Sequence, residues 1–125
     1  MGRIREHIKV NGHTFWTLFD TGARNTYVVP EVASLLATTK LEKPFRSRLG
    51  GSVKKTTKAA LLVAQVQRHR ISTDAMVVSE IGNDEEGKPI EILFGALAMQ
   101  QWGIRPIPDE ERLDLTHYPK EFVEF

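Results

Sequence analysis

Near the start of the chain apolar and polar positions alternate, and the alternation breaks at Asn11-Gly12. Ile4, then His7–Val10 and His13–Phe19, read as strand, because a period of two puts one face of each run into a core. Asn11-Gly12 between them is the strongest two-residue hairpin signal, since a type I′ turn needs positive φ at both positions. Thr26–Val29 is β-branched and aromatic and reads as another short strand. Pro30 suits a first helical position, with Val32, Ala33, Leu35 and Leu36 making one or two helical turns.

Lys40–Gln67 reads as two extended arms around Leu49-Gly50-Gly51-Ser52, where the glycines permit positive φ and a mobile tip. Gln65–Thr73 supplies a turn between strands Ala59–Val66 and Ile71–Val78. Glu80–Pro89 is polar and glycine-bearing, hence an exposed loop. Ile90–Ile104 begins as a strand ending near Phe94-Gly95. Ala96–Trp102 then offers strong helix formers, with Gly103 placed as the residue that ends the helix. Ile104–Leu115 looks like a closing hairpin turned at Asp109–Glu111, and Thr116–Phe125 is ambiguous. The expected architecture is mostly β, with one short helix and one better one, and without repeats.

Composition narrows the function classes. A chain of 125 residues supports one compact domain and is too short for two. Its formal charge of +1 gives no bulk electrostatic reason to expect nucleic acid or an anionic membrane as partner. No apolar run approaches the ~20 residues that span a bilayer, and Met1–Val10 lacks the apolar core of a signal peptide. Cysteine is absent, which excludes disulfides, thiolate zinc sites and cysteine nucleophiles, and the cytoplasm is the parsimonious compartment. His7, His13, His69 and His117 are scattered without short ligand spacings, so no metal site is expected. Arg68–Arg70 reads as a solvated turn, and Lys54, Lys55 and Lys58 as a strand edge kept soluble by lysines.

The chemistry concentrates at Asp20. An apolar strand ends on this carboxylate, and Thr21-Gly22 then forces a tight turn whose backbone N–H groups can hydrogen-bond it. Taken alone, the tripeptide is an Asx-type turn between two strands. Its context adds more. Leu18-Phe19-Asp20-Thr21-Gly22-Ala23 is followed by the Gly50-Gly51 hairpin, and then by Leu93-Phe94-Gly95 opening the helix Ala96–Trp102. This ordered set resembles the retropepsin-like aspartic proteases over roughly Ile4 to Leu115.

The resemblance implies a closed β-barrel-like half-lobe with a flap hairpin and one C-terminal helix, over residues 1–116, with 117–125 as a tail. Aspartic proteases activate water with two carboxylates that share one proton, because like charges ~3 Å apart cannot both ionise. This chain has one Asp-Thr-Gly and about half the size of a two-lobed enzyme, so the resemblance implies a homodimer with the two-fold axis beside Asp20. Asp20 is then the catalytic carboxylate. Thr21 would hydrogen-bond across the axis, and Gly22 would let the substrate backbone approach. Ala23 would line the cleft floor, Gly50 and Gly51 would close over a peptide, and Tyr27, Phe94 and Leu97 are candidate pocket walls. No cofactor is implied.

Two positions depart from the family. Viral members commonly carry an acidic residue where Arg24 stands and an arginine where Ala96 stands, and those groups pair within each chain. Here that pair is lost, leaving Arg24 either to meet an acidic substrate side chain or to remain solvated. A peptide-binding or dimerisation module that keeps the same turn without cutting is the rival from another class.

Overall fold

The computed structural model describes residues 2–124. In chain order the elements are β1 (Arg3–Val10), β2 (His13–Asp20), β3 (Tyr27–Val28), α1 (Pro30–Ala33), β4 (Thr38–Leu49), β5 (Ser52–Val66) and β6 (His69–Val77). Then come β7 (Gly82–Asn83), β8 (Pro89–Ile90), β9 (Ile92–Phe94), α2 (Ala96–Trp102), β10 (Arg105–Ile107) and β11 (Arg112–Asp114).

Asn11 and Gly12 take φ of 54° and 83°, the two positive values that a type I′ hairpin requires. This turn pairs Val10 with His13, and each further step along β1 and β2 then follows, out to Arg3 opposite Asp20. The ladder is thus longer than the apolar pattern alone suggests, and its last rung carries two charged residues.

The main sheet runs β1-β2-β9-β3-β6-β5-β4, and a single β1–β5 pairing at Lys9 and Gln65 curls it toward closure. Its centre decides where the chemistry goes. β9 lies parallel to β2, with Phe19 opposite Phe94, and antiparallel to β3, with Tyr27 opposite Leu93. Two strands therefore end side by side, one on Asp20 and one on Gly95.

Alternation along these strands divides the apolar side chains between two clusters. The larger contains Ile8, Val10, Phe19, Val28, Leu62, Val66, Ile71, Ile92 and Phe94, with Val32, Ala98, Met99 and Trp102 closing it from the two helices. The smaller contains Leu18, Tyr27, Leu49, Val78, Ile90 and Leu93 and lies beneath the β4–β5 hairpin. At about 1.5–3 kcal/mol per fully buried large apolar side chain, the first cluster supplies most of the drive to fold.

α2 ends as expected. Gly103 takes φ 66°, the Ile104 N–H reaches the Met99 carbonyl at 2.9 Å, and the Gly103 N–H reaches Gln100, a Schellman closure. α1 is shorter than the sequence pattern suggests: after Ala33 only turn-type bonds carry the chain through Leu35 and Leu36. Glu80–Pro89 is exposed almost throughout, as expected, and is also ordered. β7 and β8 pair within it, because Asp84 Oδ1 accepts the N–H groups of Glu86 and Lys88, both at 2.9 Å, and Gly87 turns with φ 82°. Past β11, Tyr118 stacks on Trp102 and lies 4.4 Å from the His69 ring. No described helix is long and apolar enough to cross a membrane.

Candidate active site

Asp20 is the last residue of β2 and only 6% exposed, while Thr21 and Gly22 after it are exposed. Its Oδ1 accepts the Gly22 N–H at 2.8 Å, and its carbonyl accepts the Ala23 N–H at 3.1 Å. These bonds make an Asx-type turn, and they also fix the plane of the carboxylate. Its Oδ2 accepts from Arg3 Nε at 3.1 Å.

Gly95 explains why the second apolar-apolar-glycine turn has to abut the first. A Cβ at this position would lie 2.2 Å from the Asn25 carbonyl oxygen, so only glycine permits the approach. Three hydrogen bonds then join the turns: Gly95 N–H to Thr26 Oγ1 at 3.1 Å, Ala96 N–H to the Ala23 carbonyl at 2.7 Å, and Leu97 N–H to the Arg24 carbonyl at 3.2 Å. The first N–H groups of α2 are thereby satisfied by the Asp20 loop instead of a capping side chain.

Beside Asp20 opens a cleft of about 700 Å³. Leu18, Ile90 and Leu93 form its apolar floor, with Asp20, Gly22 and Ala23 at one end. The β4–β5 hairpin roofs it. Gly50 and Gly51 turn the tip with φ of 55° and 84°, and Leu49, buried in the small cluster, points down onto the floor. Tyr27 Oη and Ser47 Oγ, 2.7 Å apart, tie one arm of this hairpin to β3.

The third wall is charged. The Glu80–Glu85 stretch faces the cleft, where Glu85 pairs with Arg5 and Glu80 with Lys54 at 3.4 Å. Asp84 Oδ2 accepts from Trp16 Nε1 at 2.9 Å, and Lys88 Nζ lies 4.0 Å from the centroid of the Trp16 ring. The Lys88 N–H, helped by the Trp16 indole, the Glu86 N–H and the Arg5 charge, holds the Asp84 carboxyl below its ordinary value. This wall is therefore clamped to the β1–β2 hairpin.

The expected site residues divide accordingly. Asp20, Gly22, Ala23 and Gly50 line the cleft, and Gly51 completes the tip above it. Thr21 bonds within its own chain, to Gly2. Phe94 is corrected: it is fully buried against Phe19 in the large cluster, and Leu93, on the opposite face of β9, takes the pocket position. Tyr27 is 5% exposed and supports the floor and the β4–β5 hairpin from beneath. Leu97, 49% exposed at the start of α2, lies outside the cleft lining, as does the exposed Arg24. The walls are thus more charged than the apolar trio predicted. The sequence reading missed Arg3, Arg5, Glu80 and Glu85. Arg3 could have been found by counting back from Asn11-Gly12, since a two-residue turn sets the register of everything behind it.

Residues 7–97 match the family model described as aspartyl protease. The chain belongs to the aspartyl protease family. No curated protein matches it. Among solved structures it is similar to the retroviral protease-like domain of Ddi1 from Leishmania major, at 11% identity over 93% of this chain and 90% of that one, with a TM-score of 0.63. It is also similar to EIAV protease, solved with the inhibitor HBY-793, at 17% identity over 84% of this chain and 92% of that one, with a TM-score of 0.60. Identities this low speak to the fold alone, and that fold is retropepsin-like. The order of Asp20 turn, glycine-tipped hairpin, second glycine turn and C-terminal helix is the one the sequence pattern predicted.

Proposed function

We propose that the protein is an aspartic endopeptidase that acts as a homodimer on extended peptides. The observation that carries this reading is the placement of Asp20. It is a nearly buried carboxylate, oriented by the Gly22 N–H, at the end of a cleft roofed by a glycine-tipped hairpin. One chain supplies one such carboxylate, and a two-fold partner supplies the second.

With two Asp20 side chains together, one is ionised and the other protonated, since two charges so close cannot both persist. The ionised carboxylate takes a proton from a water held between them as the water oxygen bonds to the scissile carbonyl carbon. The protonated carboxyl hydrogen-bonds the carbonyl oxygen, on which negative charge develops. The carbon–nitrogen bond then breaks, and the amine leaves with a proton from the dyad. Gly22, Gly50 and Gly51 offer backbone groups to the peptide main chain, Ala23, Leu18 and Leu93 receive its apolar side chains, and Arg24, exposed outside the lining, is free to meet an acidic side chain beyond it. A cytoplasmic setting accords with the absence of cysteine.

A second reading keeps the fold without the chemistry. The Arg3–Asp20 ion pair favours it, because a carboxylate neutralised within its own chain is a structural element in its own right. Asp20→Asn separates the two. The amide keeps the size and the Gly22 contact, so folding and peptide binding persist, while neither chain retains a base. Purified wild type should cleave apolar-centred peptides and Asp20→Asn should fall to background. Equal cleavage by both would place the activity elsewhere, and peptide binding by wild type without any cleavage would favour the binding module.

A further inference from the structure

The hydrogen-bonding groups that the Asp20–Thr21 turn would offer a second chain are already in use within one chain. The Thr21 N–H donates to the Gly2 carbonyl at 3.0 Å, and the Gly2 N–H donates to Thr21 Oγ1 at 2.9 Å. The Thr21 hydroxyl also lies 3.3 Å from the Gly2 carbonyl. One residue on, Arg3 Nε donates to Asp20 Oδ2 at 3.1 Å. These contacts are not incidental, since the hairpin register places Arg3 directly opposite Asp20 and on the same face of the ladder. The Arg3 side chain is 59% exposed and the Asp20 side chain 9%, so an exposed arm covers a buried carboxylate.

We infer that Gly2-Arg3 is an intrachain latch on the Asp20-Thr21-Gly22 turn, and that it opens when a second copy docks. The inference rests on the homodimer reading above. The single Thr21 N–H cannot serve Gly2 and a partner equally well, because sharing one donor between two acceptors weakens both bonds. With the guanidinium on Oδ2 and the Gly22 N–H on Oδ1, each carboxylate oxygen also has one lone pair fewer for a water or a second carboxyl. The latch has to yield before the dyad can assemble, and its arginine component is weak enough to do so. A cross-strand ion pair with an exposed arginine holds by a factor of about five at most. Both chains must open, so the dimer dissociation constant carries that factor twice, about twenty-five at most. Assembly and exposure of the catalytic carboxylate become one event, which keeps the lone chain from presenting an unpaired acid.

The test compares full-length wild type with Arg3→Gln, Arg3→Lys and Gly2→Pro by sedimentation equilibrium over a concentration series. Circular dichroism confirms folding of each variant. Gly2→Pro replaces the N–H that reaches Thr21 Oγ1 with a ring carbon, which breaks this contact and pushes the hydroxyl away, while a Cβ at Gly2 would meet only ordinary contacts, 3.4 Å from Thr21 Oγ1 and 3.5 Å from Pro106 Cβ. Arg3→Gln should tighten the dimer by two- to about twenty-five-fold. Gly2→Pro should move the same way, and Arg3→Lys, which keeps the charge, should stay near wild type. Peptide cleavage per chain, measured below the wild-type dissociation constant, should rise with the dimer fraction. Dimerisation of Arg3→Gln and Gly2→Pro equal to or weaker than wild type overturns the latch and leaves the peptidase standing. Tightened dimers that cut no peptide leave the latch standing and overturn the peptidase. Monomers throughout, for wild type and variants alike, overturn the latch together with the homodimer.

Discussion

Phe19 and Phe94 lie on neighbouring parallel strands with ring centroids 4.8 Å apart, both fully buried, and each comes one residue before one of the two abutting turns. The pair bolts the Asp20 turn to the Gly95 turn. Truncating a buried phenylalanine removes its transfer energy and leaves a cavity, so Phe94→Ala should cost about 3–5 kcal/mol of unfolding free energy, read by urea titration. A loss under about 1 kcal/mol would mean that the ring is not a core element. Leu93→Ala should instead weaken peptide binding, because Leu93 faces the cleft floor.

Gly95 and Gly12 make a contrasting pair. A methyl group at Gly95 meets the Asn25 carbonyl oxygen at 2.2 Å, and that atom belongs to backbone already held by the α2 start. At Gly12 nothing lies within 4 Å, and only the φ of 83° resists a side chain. Gly12→Ala should therefore cost about 1 kcal/mol through backbone strain. Gly95→Ala should cost 3 kcal/mol or more, roughly the upper end of overpacking, and should abolish cleavage by parting the turns. Thermal unfolding of the two variants side by side would show it, and similar losses would contradict the abutting-turn account.

Why the elements were legible and the walls were not follows from the range of each cause. Asn11-Gly12, Gly103 and the alternation along β1 and β2 act over a few residues, and a sequence shows them directly. The Phe94 assignment failed because β9 is only three residues long and buried on both faces. A continuous apolar run carries no periodicity to say which residue faces the cleft. The charged wall failed for a different reason. Glu80 and Glu85 meet Lys54 and Arg5 from distant parts of the chain, and no local pattern brings such pairs together. Within the exposed-loop expectation, the ordering agent was Asp84, whose two backbone contacts build a turn that composition alone does not reveal.

Asp84 gives the clamped wall a pH dependence. Its carboxyl is more acidic in the folded chain than an ordinary aspartate, chiefly because the Lys88 N–H bonds it. A carboxyl lowered on folding contributes stability that is complete above its unfolded value and disappears as pH falls through the folded one. Acidification below about pH 4 should thus release the Trp16 indole and loosen Glu80–Lys88. The Trp16 Nε1–H resonance reports this directly. It should move in acid for wild type, while Asp84→Asn should show it already displaced at neutral pH. A Trp16 resonance that stays fixed to about pH 2 would mean that Asp84 does not hold the loop.

The β4–β5 hairpin makes the last prediction, through Leu49. In the free chain this side chain is 8% exposed and clustered with Leu18, Ile90 and Leu93, so the hairpin tip rests on the floor that a peptide would use. A peptide must lift Leu49 before its own apolar side chain can take that place. Opening is feasible because the cluster beneath the hairpin is small and because Gly50 and Gly51 turn in the left-handed region without a Cβ penalty. Amides of residues 49–53 should exchange quickly in the free protein, through brief lifting of the tip, and slowly once an extended peptide fills the cleft. Leu49→Ala should raise the free-state exchange further, since it removes the contact that seats the tip. Its peptide-bound protection should fall less, because main-chain hydrogen bonds to the peptide would then hold the hairpin down. If protection at 49–53 is the same with and without peptide, the hairpin is a fixed roof and the substrate enters by another route.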